Sequence, residues 1–374
     1  MPVDISEILP ADFRNGLFIG RAESEAGPNV IAIRDGNMFD LTGEVATVSG
    51  AVARRAFSGG RLIGPVEDGL PEGWVLLSPV DLQCIKASGV TFALSAIERV
   101  IEERARGDAT RAAEIRDLLE KRIGGGIRSV VPGSAEAMAL KDALIEEGMW
   151  SQYLEVAIGP DAEIFSKSPV LSTVGAGAQI GVRSDSTWNN PEPEVVLVVD
   201  PEGETVGATL GNDVNLRDFE GRSALLLSKA KDNTASCSIG PFIRLFDESF
   251  TIEDVRQANV DLLIEGADGY RLEGTNRMSE ISRDPLELVR QTLSEHHYPD
   301  GFVLFCGTLF APTQDRDTPG AGFTHELGDR VTISSERLGR LSNVVTTSRD
   351  APAWTVGITA FMRNLAERGL IGNI

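Results

Sequence analysis

Three carboxylates stand out for the chemistry they could do together. Glu192-Pro193-Glu194 sits just ahead of the apolar run Val195-Val196-Leu197-Val198-Val199. In an extended chain, residues two apart point to the same face, so both carboxylates converge while Pro193 faces away with no N–H to leave unpaired. Two like charges that close need a cation or must share a proton. Nineteen residues after Glu194 comes Asp213, in Leu210-Gly211-Asn212-Asp213 at the end of a second extended segment. With no His or Cys nearby, the donors are oxygen only, which suits a hard cation such as Mg²⁺ and leaves positions for water or a chelating substrate. Spacing alone leaves a plainer alternative, because a chain with 56 acidic residues carries solvated carboxylates at many strand ends.

These side chains need strands to hold them. Short apolar runs separated by Gly, Pro and Asp dominate from Glu155 onward: 195–199, 260–264, 302–305 and 330–333. One helix interrupts them, with Asp284 as N-cap and Pro285 in its first turn, and His296-His297 at its end. Residues 16–48 read as strands, with Asp35-Gly36 making a hairpin turn. Between about 92 and 150 the pattern becomes helical, with Ile97, Val100 and Ile101, then Ile115, Leu118 and Leu119, then the stretch SAEAMALKDALIEEGMW. A βαβ alternation is absent, which argues against a doubly wound nucleotide fold.

The formal net charge is −21, from 35 basic and 56 acidic residues. A polyanion would be repelled, so nucleic acid and anionic membrane are poor partners. Cys84, Cys237 and Cys306 are odd in number and form no CxxC pair, which fits a reducing, cytoplasmic setting. The start MPVDISEILPADF lacks the basic-then-apolar pattern of an export signal, and no apolar run is long enough to span a bilayer. The expectation is a soluble protein acting on a small molecule.

Beyond Asp213 the string Asn212-Asp213-Val214-Asn215-Leu216-Arg217-Asp218 resembles the NDxSxRD segment of the fumarylacetoacetate hydrolase superfamily. The upstream ExE resembles that family's EAEL metal pair. Lys231 in KDNTASC, followed by Ile239-Gly240-Pro241-Phe242, resembles the lysine of its KSFxxxxP segment, and Gly307-Thr308 resembles part of TGTPxG. Leu327-Gly328-Asp329-Arg330-Val331 with Gly339-Arg340-Leu341-Ser342-Asn343 resembles the terminal LxxGDxVxxxIxxIGxLxN. The matches keep the family order over roughly residues 155–345.

The resemblance implies an α+β, β-rich fold, a mixed β-sandwich roll. A small β-rich N-terminal domain would occupy residues 1–80, and a catalytic domain 81–374 would include a helical lid or insertion at about 92–150. It implies a homodimer or a dimer of dimers. Glu192, Glu194 and Asp213 would ligate the metal, Mg²⁺ first and Mn²⁺ or Ca²⁺ as alternatives. Lys231 would sit beside the substrate oxygens, and Gly307-Thr308 would bind the substrate carboxylate. Lys167, in Phe165-Ser166-Lys167-Ser168-Pro169, resembles the family's FxKP entry to the catalytic domain and is a substrate-binding candidate, with a solvated lysine as the alternative. Arg217 is a substrate-binding candidate, or else an ion-pair partner of Asp218.

Departures from the family pattern bear on the reaction. Family hydrolases carry a lid segment GxNYxxHxxE whose His-Glu pair activates water. Counting from Gly89 puts Ser95 at the histidine position and Glu98 at the glutamate position. Without imidazole, hydrolysis loses its base, whereas a carboxylate beside a metal-chelated 2-oxo acid can still move a C3 proton through an enolate. The string DLQCIKASGVTFALSAIERVIEERARGD resembles bacterial 2-keto-3-deoxy-D-xylonate dehydratases of this superfamily. The implied activity is a Mg²⁺-dependent hydro-lyase of pentose metabolism that converts a 2-keto-3-deoxy pentonate to 2-oxoglutarate semialdehyde, with Glu98, Lys231 and Ser95 at the reaction centre. Hydrolysis of a 2,4-dioxo acid, as by acylpyruvases, is the alternative. For Glu98 the alternative is a solvated helix face shared with Glu102 and Glu103, and His325 is a further candidate in a loop after Thr308. Trp188 either lines the pocket beside Glu192 or merely packs. A scaffold protein would be marked by lost ligands, and none of the three carboxylates is lost.

Overall fold

The computed structural model describes residues 4–92, 96, 100, 130–146, 148–309, 312, 314–316 and 323–374. In chain order the strands are β1 (Phe18–Ser24), β2 (Gly27–Arg34), β3 (Asn37–Asp40), β4 (Arg61–Pro65), β5 (Val75–Leu76), β6 (Cys84–Gly89), β7 (Glu163–Ser168), β8 (Gln179–Val182) and β9 (Asn189–Asn190). Then follow β10 (Pro193–Val199), β11 (Thr205–Asp213), β12 (Asn215–Leu216), β13 (Cys237–Leu245), β14 (Asn259–Glu265), β15 (Arg271–Arg277), β16 (Phe302–Phe305), β17 (Arg330–Ser335) and β18 (Gly339–Thr347).

Among the described residues a large sheet runs β4-β3-β2-β1-β13-β11-β10-β16-β6-β7, with β5 added to β1, and a second runs β15-β14-β17-β18-β8. Both are mixed, because β16 and β6 pair in parallel, as do β18 and β8. Val195, Leu197 and Val199 of β10 pack between the sheets with Leu262, Ile264, Val331, Ile333 and Leu341. Val196 and Val198 face the other way, in a cluster with Val48, Ala51 and Val52 of the helix Val48–Arg54. Burial on both faces is why β10 reads as an unbroken apolar run instead of an alternating one. The arrangement is the β-rich sandwich expected from the sequence.

The Asp35-Gly36 turn joins β2 to β3 as expected, with φ of 51° and 74° at its two central residues and Arg34 opposite Asn37. The N-terminal strands extend the same large sheet, Phe18 pairing with Arg244 and Ile19 with Ile243. Chain ends meet there too: Asn364 donates to the Ala26 carbonyl at 2.8 Å and Arg368 to that of Pro28 at 2.7 Å.

The third helical stretch of the 92–150 block forms as Ala135–Glu146, while the stretches through 97–99 and 101–123 lie outside the described residues. A helix Gln152–Ile158 follows where strands were expected to begin, capped by Ser151 and burying Leu154, Ala157 and Ile158 at helical spacing. Asp284 caps Pro285–Leu293 by accepting from the Leu286 N–H. That helix stops at Leu293, so His296 and His297 fall in the exposed turn beyond it, where His296 stacks on Tyr298.

Candidate active site

The pairing of β10 with β11 assembles the carboxylates. Pro193 lies opposite Asn212 and Glu194 opposite Gly211, and the Asp213 N–H donates to the Glu192 carbonyl at 3.1 Å. Cross-strand partners share a face, so Asp213 joins the face that Glu192 and Glu194 already share. One oxygen from each of the three lies within 4.8 Å of the others, and all three residues are buried. Asn212, directly before Asp213, fixes the start of β10 by accepting the Glu192 N–H at 3.1 Å.

Two lysines reach in from elements distant in sequence. Lys231 ends the short helix Leu227–Lys231 and places its ammonium 2.5 Å from Glu192 Oε2 and 2.9 Å from Asp213 Oδ2. Lys167, on β7, lies 2.8 Å from Asp213 Oδ1 and donates to the carbonyls of Val214 at 3.1 Å and Lys231 at 2.5 Å. Its side chain is fully buried, so its ammonium orients Asp213 and the Lys231 turn.

Burial works against the Lys231 ammonium, yet Asp213, Glu192 and Glu220 outweigh it and hold its pKa well above the ordinary lysine value. Burial likewise pushes Asp213 upward, and the two ammoniums overcome it, so Asp213 ends below its usual value. Glu194 is the exception, raised well above the usual carboxylate value by burial and by the charges of Asp213 and Glu192. With all three carboxylates ionised, the two ammoniums would not balance them, which is the imbalance that raises Glu194. An all-oxygen donor set in which one carboxylate is crowded by two others fits a divalent cation such as Mg²⁺.

Gly307 carries the adjoining wall of the site. Its N–H donates to Glu194 Oε2 at 2.6 Å, and it adopts φ of +91°. A Cβ there would lie 2.0 Å from Thr91 Oγ1, so only glycine brings the backbone this close. Thr308 follows it, half-buried. Arg217 is buried at the start of Arg217–Glu220 with its guanidinium 5.5 Å from the Trp188 ring centre, while Asp218 accepts from Ser186 Oγ and the Thr187 N–H, both at 2.9 Å. His325 is buried with Nδ1 3.5 Å from Asp329, and its backbone N–H donates to Asn189 Oδ1 at 3.2 Å. Burial lowers its pKa, against the pull of Asp329. Ser95 and Glu98 lie outside the described residues.

Sequence reasoning missed three supporting polar residues. Asn212 had a signal, adjacency to Asp213. Buried Glu220, which accepts from Asn215 Nδ2 at 2.6 Å and adds to the field at Lys231, had none. Neither had Asn276, which reaches in from β15 in the second sheet.

Residues 149–346, more than half of the chain, match the family described as fumarylacetoacetate (FAA) hydrolase C-terminal. A probable 2-keto-3-deoxyxylonate dehydratase of Haloferax volcanii is 36% identical over 202 residues, covering 54% of this chain and 66% of that protein. A 2-dehydro-3-deoxy-D-arabinonate dehydratase of Saccharolobus solfataricus is 34% identical over 154 residues, covering 41% of this chain and 51% of that protein. The alignments thus span just under two thirds of one relative and about half of the other. Among solved structures, a 2-keto-3-deoxy-D-arabinonate dehydratase complexed with magnesium and 2,5-dioxopentanoate shares the fold, with TM-score 0.60 and 21% identity over 88% of this chain and 98% of that one.

Proposed function

Since the chain belongs to the fumarylacetoacetate hydrolase family, we propose that it dehydrates a 2-keto-3-deoxy pentonate to 2-oxoglutarate semialdehyde, with Mg²⁺ held by Glu192, Glu194 and Asp213. The observation that carries this reading is the buried carboxylate trio within 4.8 Å, flanked by the Lys167 and Lys231 ammoniums. The two dehydratases alignable with this chain support the choice of reaction. Bound there, the cation would polarise a chelating 2-oxo acid and acidify its C3 hydrogens.

The protein's own groups do the rest. Lys167 and Lys231 keep Asp213 ionised and oriented, and Lys231 opposes the negative charge that develops on the substrate oxygens. Thr308, beside the Gly307 N–H, hydrogen-bonds the substrate carboxylate. Arg217 adds a buried cation on the same run as Asp213. Glu98 takes the C3 proton in place of the family's His-Glu pair, with Ser95 where the imidazole would stand. The C3–H and C4–O bonds break and hydroxide leaves with a proton as water, giving a C3–C4 double bond; a proton then moves from C5 to C3 to give the C4–C5 enol, whose hydroxyl proton passes to C4 as the C5 aldehyde forms. Among the described residues no helix is long and apolar enough to cross a membrane. The proposal places the enzyme in the cytoplasm as a homodimer or dimer of dimers.

The test is incubation with Mg²⁺ and a panel of 2-keto-3-deoxy aldonates and acylpyruvates, followed by product mass. Loss of one water from a pentonate is the expected result. Release of pyruvate from acylpyruvates would instead establish C–C hydrolysis.

A further inference from the structure

We infer that Asn276 is a positioning residue of this site, setting the Gly307–Leu309 turn against Glu194; the inference rests on reading Glu192, Glu194 and Asp213 as metal ligands. A side-chain amide has two N–H donors and one carbonyl acceptor. Asn276 is fully buried and turns all of them on backbone atoms of two separate segments. Nδ2 donates to the Pro193 carbonyl at 3.2 Å, between the two glutamates, and makes a longer contact of 3.5 Å to the Gly307 carbonyl. Oδ1 accepts the Leu309 N–H at 3.1 Å.

Those two segments are the ones that must stay in register for Glu194 to present its carboxylate. Glu194 takes the Gly307 N–H at 2.6 Å, and the Cys306 N–H bonds the Val195 carbonyl at 3.0 Å. Thr91 Oγ1 holds the Cys306 carbonyl at 2.6 Å from the other side. Between Cys306, where β10 pairing ends, and Leu309, Asn276 supplies the tie that fixes the turn. It comes from β15, at the edge of the second sheet, so it also couples the two layers at the site. An aspartate would fit the same space but set carboxylate oxygens against the Pro193 and Gly307 carbonyls, with no donor to offer. Partners that orient a metal ligand from behind typically change metal affinity by about 10–100-fold when removed.

The experiment is calorimetric titration of the full-length protein with Mn²⁺, together with kcat and KM for the pentonate. Asn276→Ala and Asn276→Asp should each weaken Mn²⁺ binding by about tenfold or more and lower kcat. Ile33→Ala, in the core of β2 away from the site, should lower the melting temperature and leave the affinity unchanged. If the Asn276 variants fail to fold, Thr91→Val frees the same turn from its opposite side, keeps side-chain volume, and should weaken Mn²⁺ in the same way. Wild-type affinity in Asn276→Ala, or in Thr91→Val when that variant stands in, overturns the inference. Absence of Mn²⁺ binding by the wild type, or binding unaltered by Glu194→Gln, would instead overturn the ligand reading beneath it.

Discussion

Glu194→Gln should reverse sign between metal-free and metal-loaded protein. In the metal-free site Glu194 faces Glu192 and Asp213, with ligand oxygens within 4.8 Å. At that distance each like-charge repulsion is worth about 3 kcal/mol at an effective dielectric near 20. Lys231 offsets roughly one of the two, which leaves one repulsion and the cost of burial, and this imbalance is why the Glu194 pKa is raised. Glutamine keeps the shape and still accepts the Gly307 N–H, but its amide N–H₂ loses water at a cost of about 1–3 kcal/mol. The net expectation is a gain of about 1–2 kcal/mol without metal, read as a melting temperature a few degrees higher. A carboxylate with a raised folded pKa stabilises the fold while protonated and loses that contribution as pH rises from its ordinary value of 4.5 through the raised one. The advantage of the variant in EDTA therefore grows with pH over that window. With Mg²⁺ the order inverts. At a hundredfold excess over Kd the wild type gains about 2.7 kcal/mol, while a variant binding about a hundredfold more weakly gains only about 0.4 kcal/mol. Urea titrations in EDTA and in saturating Mg²⁺ measure all four stabilities. A variant less stable than wild type in EDTA, or one with an undiminished Mg²⁺ increment, would refute the charge balance drawn for the site.

Three further outcomes are expected. Glu98→Gln should abolish dehydration with little change in KM, since the amide keeps the shape but cannot accept a proton; full turnover by that variant would move proton transfer to another group. Gly307→Ala should lose activity and fold poorly, because its Cβ would meet Thr91 Oγ1 at 2.0 Å in a backbone conformation of φ +91°, and soluble, active protein would contradict the packing. Asp329 is pushed upward by burial but held at about 2 by hydrogen bonds from His325 and Arg316. Wild-type stability should thus decline as pH falls from the ordinary value of 3.8 toward 2, and Asp329→Asn, less stable at neutral pH, should show a flatter profile there in acid denaturation followed by circular dichroism.

Much of this protein is legible in local sequence. The period of two along an extended chain puts Glu192 and Glu194 on one face, Asp-Gly calls for the tight turn between β2 and β3, and Asp284-Pro285 starts a helix; each is decided within a few residues by backbone geometry. The ordered motifs around Asp213, Lys231, Gly307 and Asp329 carry the family assignment. Other features have no local signature. The helix Gln152–Ile158 could pass for the start of the strand region until its buried face was seen, and His296 and His297 lie past a helix end that pattern alone placed too late. Lys167 is open in sequence between a site lysine, by its likeness to the FxKP segment, and a solvated one; its ammonium is enclosed, because β7 runs along the edge of the large sheet and sends it to Asp213 and Val214. Asn276 and Glu220 are ordinary polar residues in sequence. Their roles arise from long-range contacts, Asn276 bridging two sheets and Glu220 adding charge beside a lysine held by two other acids. Residue type and spacing determined which atoms were available to hold a cation. The tertiary structure decided which of them share one buried volume, because hydrogen bonds and Coulomb fields depend on distance in space and not on separation along the chain.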